Sequence, residues 1–321
     1  MVSHGAETRR GDRILVTGAA GLLGRQVLAH FAALGTPVTA LVVQPVPELN
    51  ADRVVYGDTR DVAAVRKALD GAGAVVHLAA IPSPEHHPGE EVFGNNALST
   101  FTVLEQAGLA GITRAVIASS YSVTGLPFAP RTRVPAYLPV DEALPVQVED
   151  PYALSKQVDE ATAAMMWWRH GLSVVALRFP FLGGTERLEA RARRYACDPA
   201  AGARELWSYL DLRDAARACE LALSGRGSGC QVIGLAAPLT LAPYPTAALL
   251  DAFLPDVPRR AAFSGRRVPL DLSRAEQLLS FRAEHEMPIA ELPGPPAGLG
   301  RRPTGDGVVV TDGVVVTGEQ S

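Results

Sequence analysis

The sequence predicts a doubly wound α/β fold, a parallel sheet with helices on both faces. Three observations carry that prediction. Short runs that are apolar almost throughout alternate with longer amphipathic stretches between residues 13 and 236. A glycine-rich turn joins the first apolar run to the first amphipathic stretch. The runs also lack the in-out alternation of a half-exposed sheet, so both faces of each strand must be covered.

The elements follow in order. Arg13–Thr17 reads as a buried strand, and after the glycine turn a helix is expected over 22–34, stopped by Gly35. Residues 37–43 and 54–56 predict a second and a short third strand, and Val62–Leu69 a helix closed by Asp70-Gly71. A fourth strand is expected at 74–79, a helix at 96–107, a fifth strand at 114–119, a long helix at 152–170 ending at Gly171, and a sixth strand at Ser173–Phe179. Residues 181–206, rich in Arg, Ala and Gly, break the alternation before a helix at 211–223 and a strand at Cys230–Gly234. From Ala237 proline dominates, with helices expected at Thr246–Phe253 and Ser273–Leu279.

This order predicts a loose leader at 1–11 and a sheet domain from 12–180 plus 207–236. A smaller, mostly helical C-terminal substrate domain is expected from 181–206 plus 237–295. The tail, 296–321, is Pro/Gly-rich and repeats Asp306-Gly-Val-Val-Val-Thr from Asp312 onward. Two copies are too few for a solenoid and fit a hairpin turning at Asp312-Gly313.

Charge and composition exclude several roles. Thirty basic against 34 acidic residues give a net charge of −4, so there is no cationic excess for a nucleic-acid backbone. No apolar run approaches the roughly 18–20 residues of a membrane span, and residues 1–11 lack the apolar core of a signal peptide. A soluble cytoplasmic protein with no membrane partner is expected. Cys197, Cys219 and Cys230 are too few and too scattered for a disulfide framework or a zinc site, and read as buried thiols. No metal site is expected.

The first chemical constellation is Thr17-Gly18-Ala19-Ala20-Gly21-Leu22-Leu23-Gly24. Between a strand and a helix, Gly18 can take the tight turn, Gly21 can let the backbone approach a pyrophosphate, and Gly24 permits close helix-on-strand packing. Backbone N–H groups at the helix start then face the phosphates. The end of the second strand, where an acidic side chain would select NAD and an arginine NADP, holds Val42-Val43-Gln44. Neither signature is present. The absence of Arg and Lys between Arg25 and Arg53 leans the choice to NAD, with Gln44 as a neutral ribose partner.

The second constellation pairs Tyr152-Ala-Leu-Ser-Lys156 with Ser119-Ser120 at the end of the fifth strand. One helical turn separates Tyr152 from Lys156, which places them on one face. A phenol near pKa 10 is a poor base at neutral pH, and a cation beside it favours phenolate. Ser120 would hydrogen-bond the reacting oxygen.

Together these motifs resemble the extended short-chain dehydrogenase/reductase family, in its NAD-dependent epimerase/dehydratase branch. The resemblance runs from about 13 to 236. Thr17–Gly24 resembles the family's TGxxGxxG loop, and Gly57-Asp58-Thr59-Arg60-Asp61 its GDxRD segment, whose Asp meets the adenine. His77-Leu78-Ala79-Ala80 is similar to the HLAA turn lining the cofactor, and Asn96 with Thr100 to the N-x-x-x-T helix. Ser119 to Gly125 is similar to SSxxVYG, with Thr124 in place of Tyr; counting back from Gly125 puts Ser120 at the catalytic Ser/Thr position. Tyr152 and Lys156 match YxxxK, Leu177-Arg178-Phe-Pro180 resembles LRxxxVxG, and Tyr209 to Ala215 resembles the family's late strand and helix start.

The resemblance implies a Rossmann-type sheet and catalytic roles for Ser120, Tyr152 and Lys156. It also implies a cofactor, NAD or NADP, lined by Gly18, Ala20, Gly21, Leu22, Leu23, Asp58, Thr59, Leu78, Ala79, Ala80, Asn96, Tyr152, Lys156 and Pro180. A homodimer through helices near 97–107 and 152–170 is implied too, with Met165-Met166-Trp167-Trp168 as core or dimer surface. Other residues have plainer readings. His77 is expected to pack in its turn, Asn96 either caps its helix or orders the site, and His86-His87 lies in a solvated loop. Arg187, Arg191, Arg193 and Arg194 form a solvated helix face where the family binds substrate, or an anion site.

The reaction class is hydride transfer at a carbinol or carbonyl carbon. Dehydratases of this family add an Asp-Glu pair after the catalytic Ser/Thr; here those positions hold Tyr121 and Ser122. Residues 181–208 are short beside the usual nucleotide-sugar insert, whereas the proline-rich 126–150 loop is long. A dehydrogenase or reductase acting on a sugar-like or other small polar substrate is therefore expected. The alternatives are a nucleotide-sugar epimerase and, with Ser120, Tyr152 and Lys156 all present, less readily a non-catalytic dinucleotide-binding regulator.

Overall fold

The computed structural model describes residues 13–225 and 227–295. The expected leader and the repeat-bearing tail lie outside the described residues. The chain runs β1 (Arg13–Thr17), α1 (Leu22–Ala33), β2 (Val38–Val42), β3 (Arg53–Tyr56), α2 (Val62–Leu69), β4 (Ala72–His77), α3 (Gly89–Leu109) and β5 (Arg114–Ser120). It continues through α4 (Pro151–His170), β6 (Ser173–Phe179), β7 (Phe181–Gly183), α5 (Thr185–Cys197), β8 (Tyr209–Asp211), α6 (Leu212–Ser224), β9 (Cys230–Gly234), α7 (Thr246–Phe253) and α8 (Ser273–Leu279).

Seven strands form one parallel sheet in the order β3-β2-β1-β4-β5-β6-β9, a Rossmann-type doubly wound arrangement. Alternate residues of each strand feed opposite faces. Val16, Val76, Val116 and Leu177 join the cluster under α1 and α6, while Leu15, Val75, Ile117 and Ala176 join the one that also takes Val103 and Met166. That two-sided demand is why the strands are apolar throughout. Each such buried Val, Leu, Ile or Met side chain contributes about 1.5–3 kcal/mol.

Helix ends follow local rules. Asp61 caps α2 by accepting from the Ala63 N–H at 2.8 Å. Asp150 caps α4 through the Ala153 N–H at 2.8 Å, Pro151 occupies the first turn, and Gly171 ends the helix at φ 68°.

The structure corrects two expectations. The helix expected at 96–107 begins at Gly89, so Asn96 lies inside α3 and caps nothing. Gly89 and Gly94 weaken the helical signal there, while Glu90 and Glu91 in the first turn favour the start. Of the three cysteines only Cys219 is buried; Cys197 is exposed at the end of α5 and Cys230 is half-buried on the edge strand β9. Residues 185–197, which carry the expected arginine helix face, form α5, whose buried side is reduced to Leu188 and Tyr195.

A third apolar cluster stands over the sheet edge. It gathers Leu126, Tyr137, Leu138 and Leu144 from the long loop, Tyr195, Trp207 and Tyr209, and Leu249 and Leu250 of α7. By contrast Ala275 and Leu279 of α8 pack into the sheet's own cluster. Among the described residues no helix is long and apolar enough to cross a membrane, and no cluster of His, Cys, Asp or Glu is placed to hold a metal.

Candidate active site

Parallel pairing brings the carboxyl ends of β1, β4, β5 and β6 to one edge, with Thr17 beside His77 and Ser120 beside Phe179. The sheet changes winding direction between β1 and β4, and ligands of such sheets sit there.

The glycine turn follows β1. Gly18 has φ 63°, and a Cβ on it would stand 2.7 Å from the Ala79 nitrogen. A Cβ on Gly24 would stand 2.2 Å from the Gly18 carbonyl oxygen, so only glycine lets α1 approach the turn. Gly21 enters α1 with no side chain capping the first turn, which leaves its N–H groups aimed outward for an anion. Ala20 and Leu23 are half-buried, and Gly21 and Leu22 exposed. Leu78, Ala79 and Ala80 line the other side. This cradle fits a dinucleotide pyrophosphate.

Beyond β2, Gln44 is exposed, and Arg25 reaches over to donate to the carbonyls of Ala20 at 3.1 Å and Glu48 at 3.5 Å. Asp58 is gripped by Arg60 through bonds of 3.0 and 2.6 Å, which holds its carboxyl below the usual range. The Thr59 hydroxyl is bonded to Ser99 of α3.

Under the edge lies a buried polar string. His77 sits between the hydroxyls of Thr17 (Nδ1, 2.7 Å) and Thr100 (Nε2, 3.2 Å), and burial, with Lys156 nearby, lowers its pKa to about 3. It is a neutral spacer, in keeping with the packing role expected of it. Asn96, wholly buried, accepts from the Ile81 N–H at 2.8 Å and donates to the Ile81 carbonyl and Ser155 hydroxyl at 3.1 Å each. It ties the loop after β4 to α4.

The Asp150 cap places Tyr152 in the first turn of α4, with Lys156 one turn on. Lys156 Nζ lies 5.9 Å from the centre of the Tyr152 ring. It donates to the Ala118 carbonyl at 2.8 Å and to Asp159 Oδ2 at 3.0 Å. Burial pulls the ammonium's pKa down, but Asp159, Tyr152 and Glu160 outweigh it and the net shift is upward. Ser120 Oγ accepts two bonds, from the Ser122 N–H at 3.1 Å and the Ser122 hydroxyl at 2.8 Å. Its own proton is thereby left to be donated, and strengthened by the bonds it accepts. Ser119 is turned away: its hydroxyl donates to Glu160 at 2.6 Å, and Glu160 is held by Arg178 through two bonds of 2.8 Å.

Phe128, from the long loop, meets Tyr152 edge-on with ring centres 5.8 Å apart. Glu149 ties that loop to itself through Arg133 and Arg131, and Arg204 donates to the Ala129 carbonyl at 2.7 Å. Pro180 is buried where β6 passes to β7. The expected arginine face divides: Arg187 and Arg191 lie over the Phe181 ring at 4.8 and 3.9 Å, whereas Arg193 and Arg194 are exposed. His86 and His87 are exposed. In the Met-Trp run Met166 is core and Trp168 is 85% exposed.

Three contributors escape a motif reading. Ser122 appears in sequence only as a departure from an acidic pair. Asp159 carries a legible signal, three residues after Lys156 and hence on its face. Phe128 has none, because its loop is irregular.

The sequence model of the NAD dependent epimerase/dehydratase family matches residues 14–231. A uronate dehydrogenase of Pseudomonas putida is 28% identical over 169 residues, 52% of this chain and 60% of that protein. An L-arabinose 1-dehydrogenase (NAD(P)(+)) of Haloferax volcanii is 38% identical over 179 residues, 53% of this chain and 67% of that one. The alignment thus spans only three-fifths of the first relative's length. A solved short-chain dehydrogenase/reductase superfamily protein of Agrobacterium tumefaciens with bound NAD superposes with a TM-score of 0.65 at 26% identity, covering 85% of this chain and 93% of its own.

Proposed function

The chain belongs to the NAD dependent epimerase/dehydratase family, and from that premise we propose that it is an NAD- or NADP-dependent oxidoreductase acting at a carbinol or carbonyl carbon of a sugar-like or other small polar substrate. The observation that carries this is the joint placement of Ser120, Tyr152 and Lys156 at the strand edge beside the glycine cradle. A bound nicotinamide supplies the hydride acceptor or donor. Tyr152 takes the proton from the substrate hydroxyl, or returns it in reduction, with Lys156 favouring the phenolate. Ser120 donates to the same oxygen as charge develops there.

Gly18, Ala20, Gly21, Leu22 and Leu23 would hold the pyrophosphate, Asp58 and Thr59 the adenosine side, and Leu78, Ala79, Ala80, Asn96 and Pro180 the nicotinamide side. Exposed Gln44, with Arg25 engaged by carbonyls, supports NAD in preference. Sugar dehydrogenases among the relatives support a dehydrogenase over the alternative, a nucleotide-sugar epimerase. The sheet region and the 181–206 plus 237–295 region serve as cofactor and substrate domains in this reading. We also propose a cytoplasmic homodimer through the outer faces of α3 and α4, where Leu98, Phe101, Leu154 and Trp168 are exposed.

The test is a panel of sugars, uronic acids and nucleotide sugars, followed at the nicotinamide absorbance. Net reduced cofactor supports the dehydrogenase, and isomer conversion without it the epimerase. Tyr152→Phe should keep dinucleotide binding and lower turnover by about 10²–10⁴-fold. Retained activity refutes the role of Tyr152.

A further inference from the structure

We propose that Asp159 is a positioning residue that sets the proton affinity of the Tyr152–Lys156 pair, holding Lys156 on the Ala118 carbonyl while partly cancelling the positive charge that reaches the phenol. The inference rests on the reading of Tyr152 as acid and base. The geometry is direct. The Asp159 carboxylate lies 3.0 Å from Lys156 Nζ, and the two side chains are 1% and 5% exposed. Oδ1 of the same carboxylate is buried and makes no hydrogen bond, while the Thr100 side chain favours the charged form of Asp159. Burial raises the pKa of Asp159 and Lys156 opposes that rise.

The other groups facing the pair leave Asp159 as its near counter-charge. His77 of β4 is neutral. Thr100 of α3 carries no charge. Glu160, also on α4, adds the smallest of the negative contributions to Lys156, being paired with Arg178 of β6 and holding the Ser119 hydroxyl of β5. Thr17, His77 and Thr100 are hydrogen-bonded in series from the turn at the glycine cradle, and Asp159 and Lys156 form a separate bonded pair beside the acid/base group.

The sign follows from charge alone. A negative charge beside two coupled proton sites raises the pKa of both, so removing it lowers the first macroscopic pKa of the pair whichever site loses the proton. Salt screens a buried pair little.

The test measures the pH profile of kcat/KM in the oxidative direction, and separately the phenolate absorbance of the chain without substrate, as the difference between each protein and its Tyr152→Phe counterpart. Asp159→Asn should move the acidic limb and the Tyr152 titration to lower pH by ~0.5–1 unit, at low and high salt alike, and Asp159→Glu should restore both. A folded Asp159→Asn chain with the titration unmoved overturns the proposal. If that variant does not fold, Asp159→Ser, which still offers Lys156 an acceptor, is judged by the same shift. Failure of the broader reading is distinct: Tyr152→Phe would then retain turnover, while the phenolate titration still decides the role of Asp159.

Discussion

Below the site, Thr17 and His77 at strand ends and Asn96, Thr100 and Ser155 within α3 and α4 are buried polar side chains bonded to one another or to backbone. Above it, Phe181 and the 199–207 turn are held by a separate apolar cluster, Arg191 lies over the Phe181 ring, and Arg204 grips the Ala129 carbonyl next to Phe128. The floor is built from residues close to glycines and strand ends. The roof is built from chain segments far apart in sequence, and the described backbone there includes consecutive left-handed residues, Leu206 (φ 51°) and Trp207 (φ 52°). Non-glycine residues hold that conformation at a cost of about 1–2 kcal/mol each, which the complete burial of both side chains offsets. In the proposed reading this difference separates chemistry from selectivity: proton and hydride transfer would use the rigid floor, and substrate choice a surface that can vary without disturbing it.

The largest test of that division is Trp207→Ala. Trp207 is wholly buried, donates to the Pro199 carbonyl at 2.7 Å, and fits because Gly202 has no Cβ, which would lie 2.3 Å from its ring. Its removal should cost about 3–5 kcal/mol in denaturant unfolding. Where the chain stays folded, turnover should fall while dinucleotide affinity, measured by calorimetry, holds. Equal loss of both would erase the distinction.

Gly24→Ala strikes the floor instead. Its methyl would meet the Gly18 carbonyl oxygen and Ala19 backbone, so the turn must shift, at about 1–3 kcal/mol of stability. Dinucleotide affinity should drop roughly tenfold or more, the equivalent of ~1.4 kcal/mol, with the ranking of substrates unchanged. A changed ranking would place selectivity on the floor.

Asp61→Ala serves as the small reference. It removes the α2 cap and should lower stability by about 0.5–2 kcal/mol, read as a shift in the denaturant midpoint. Because the Asp61 carboxylate faces the α2 backbone and not the reacting groups, turnover should stay as it is.

The legibility of the sequence followed the same line. The glycine turn, Ser120, Tyr152 and Lys156 stand in short motifs whose geometry is set by one strand end or one helix turn, and the structure brings them to one edge. Asn96 was legible as important but not in its place, because Gly89 and Gly94 mask the first turns of α3. The pairing of Phe128 with Tyr152 was not legible, since an irregular loop has no periodicity to read. Nor was the choice between Ser119 and Ser120 visible as geometry; Glu160 and Arg178 make it by occupying Ser119.

By itself the sequence determined the winding of the sheet, the glycine turn and the one-turn spacing of the proposed acid/base pair, because period, glycine placement and helical spacing are local quantities. Only the tertiary structure decided which groups surround them. It set Asp159 against Lys156, Ser122 beside Ser120, and segments from 121 to 287 into one apolar cluster. Burial and charge depend on everything that packs nearby, and no stretch of sequence carries that information alone.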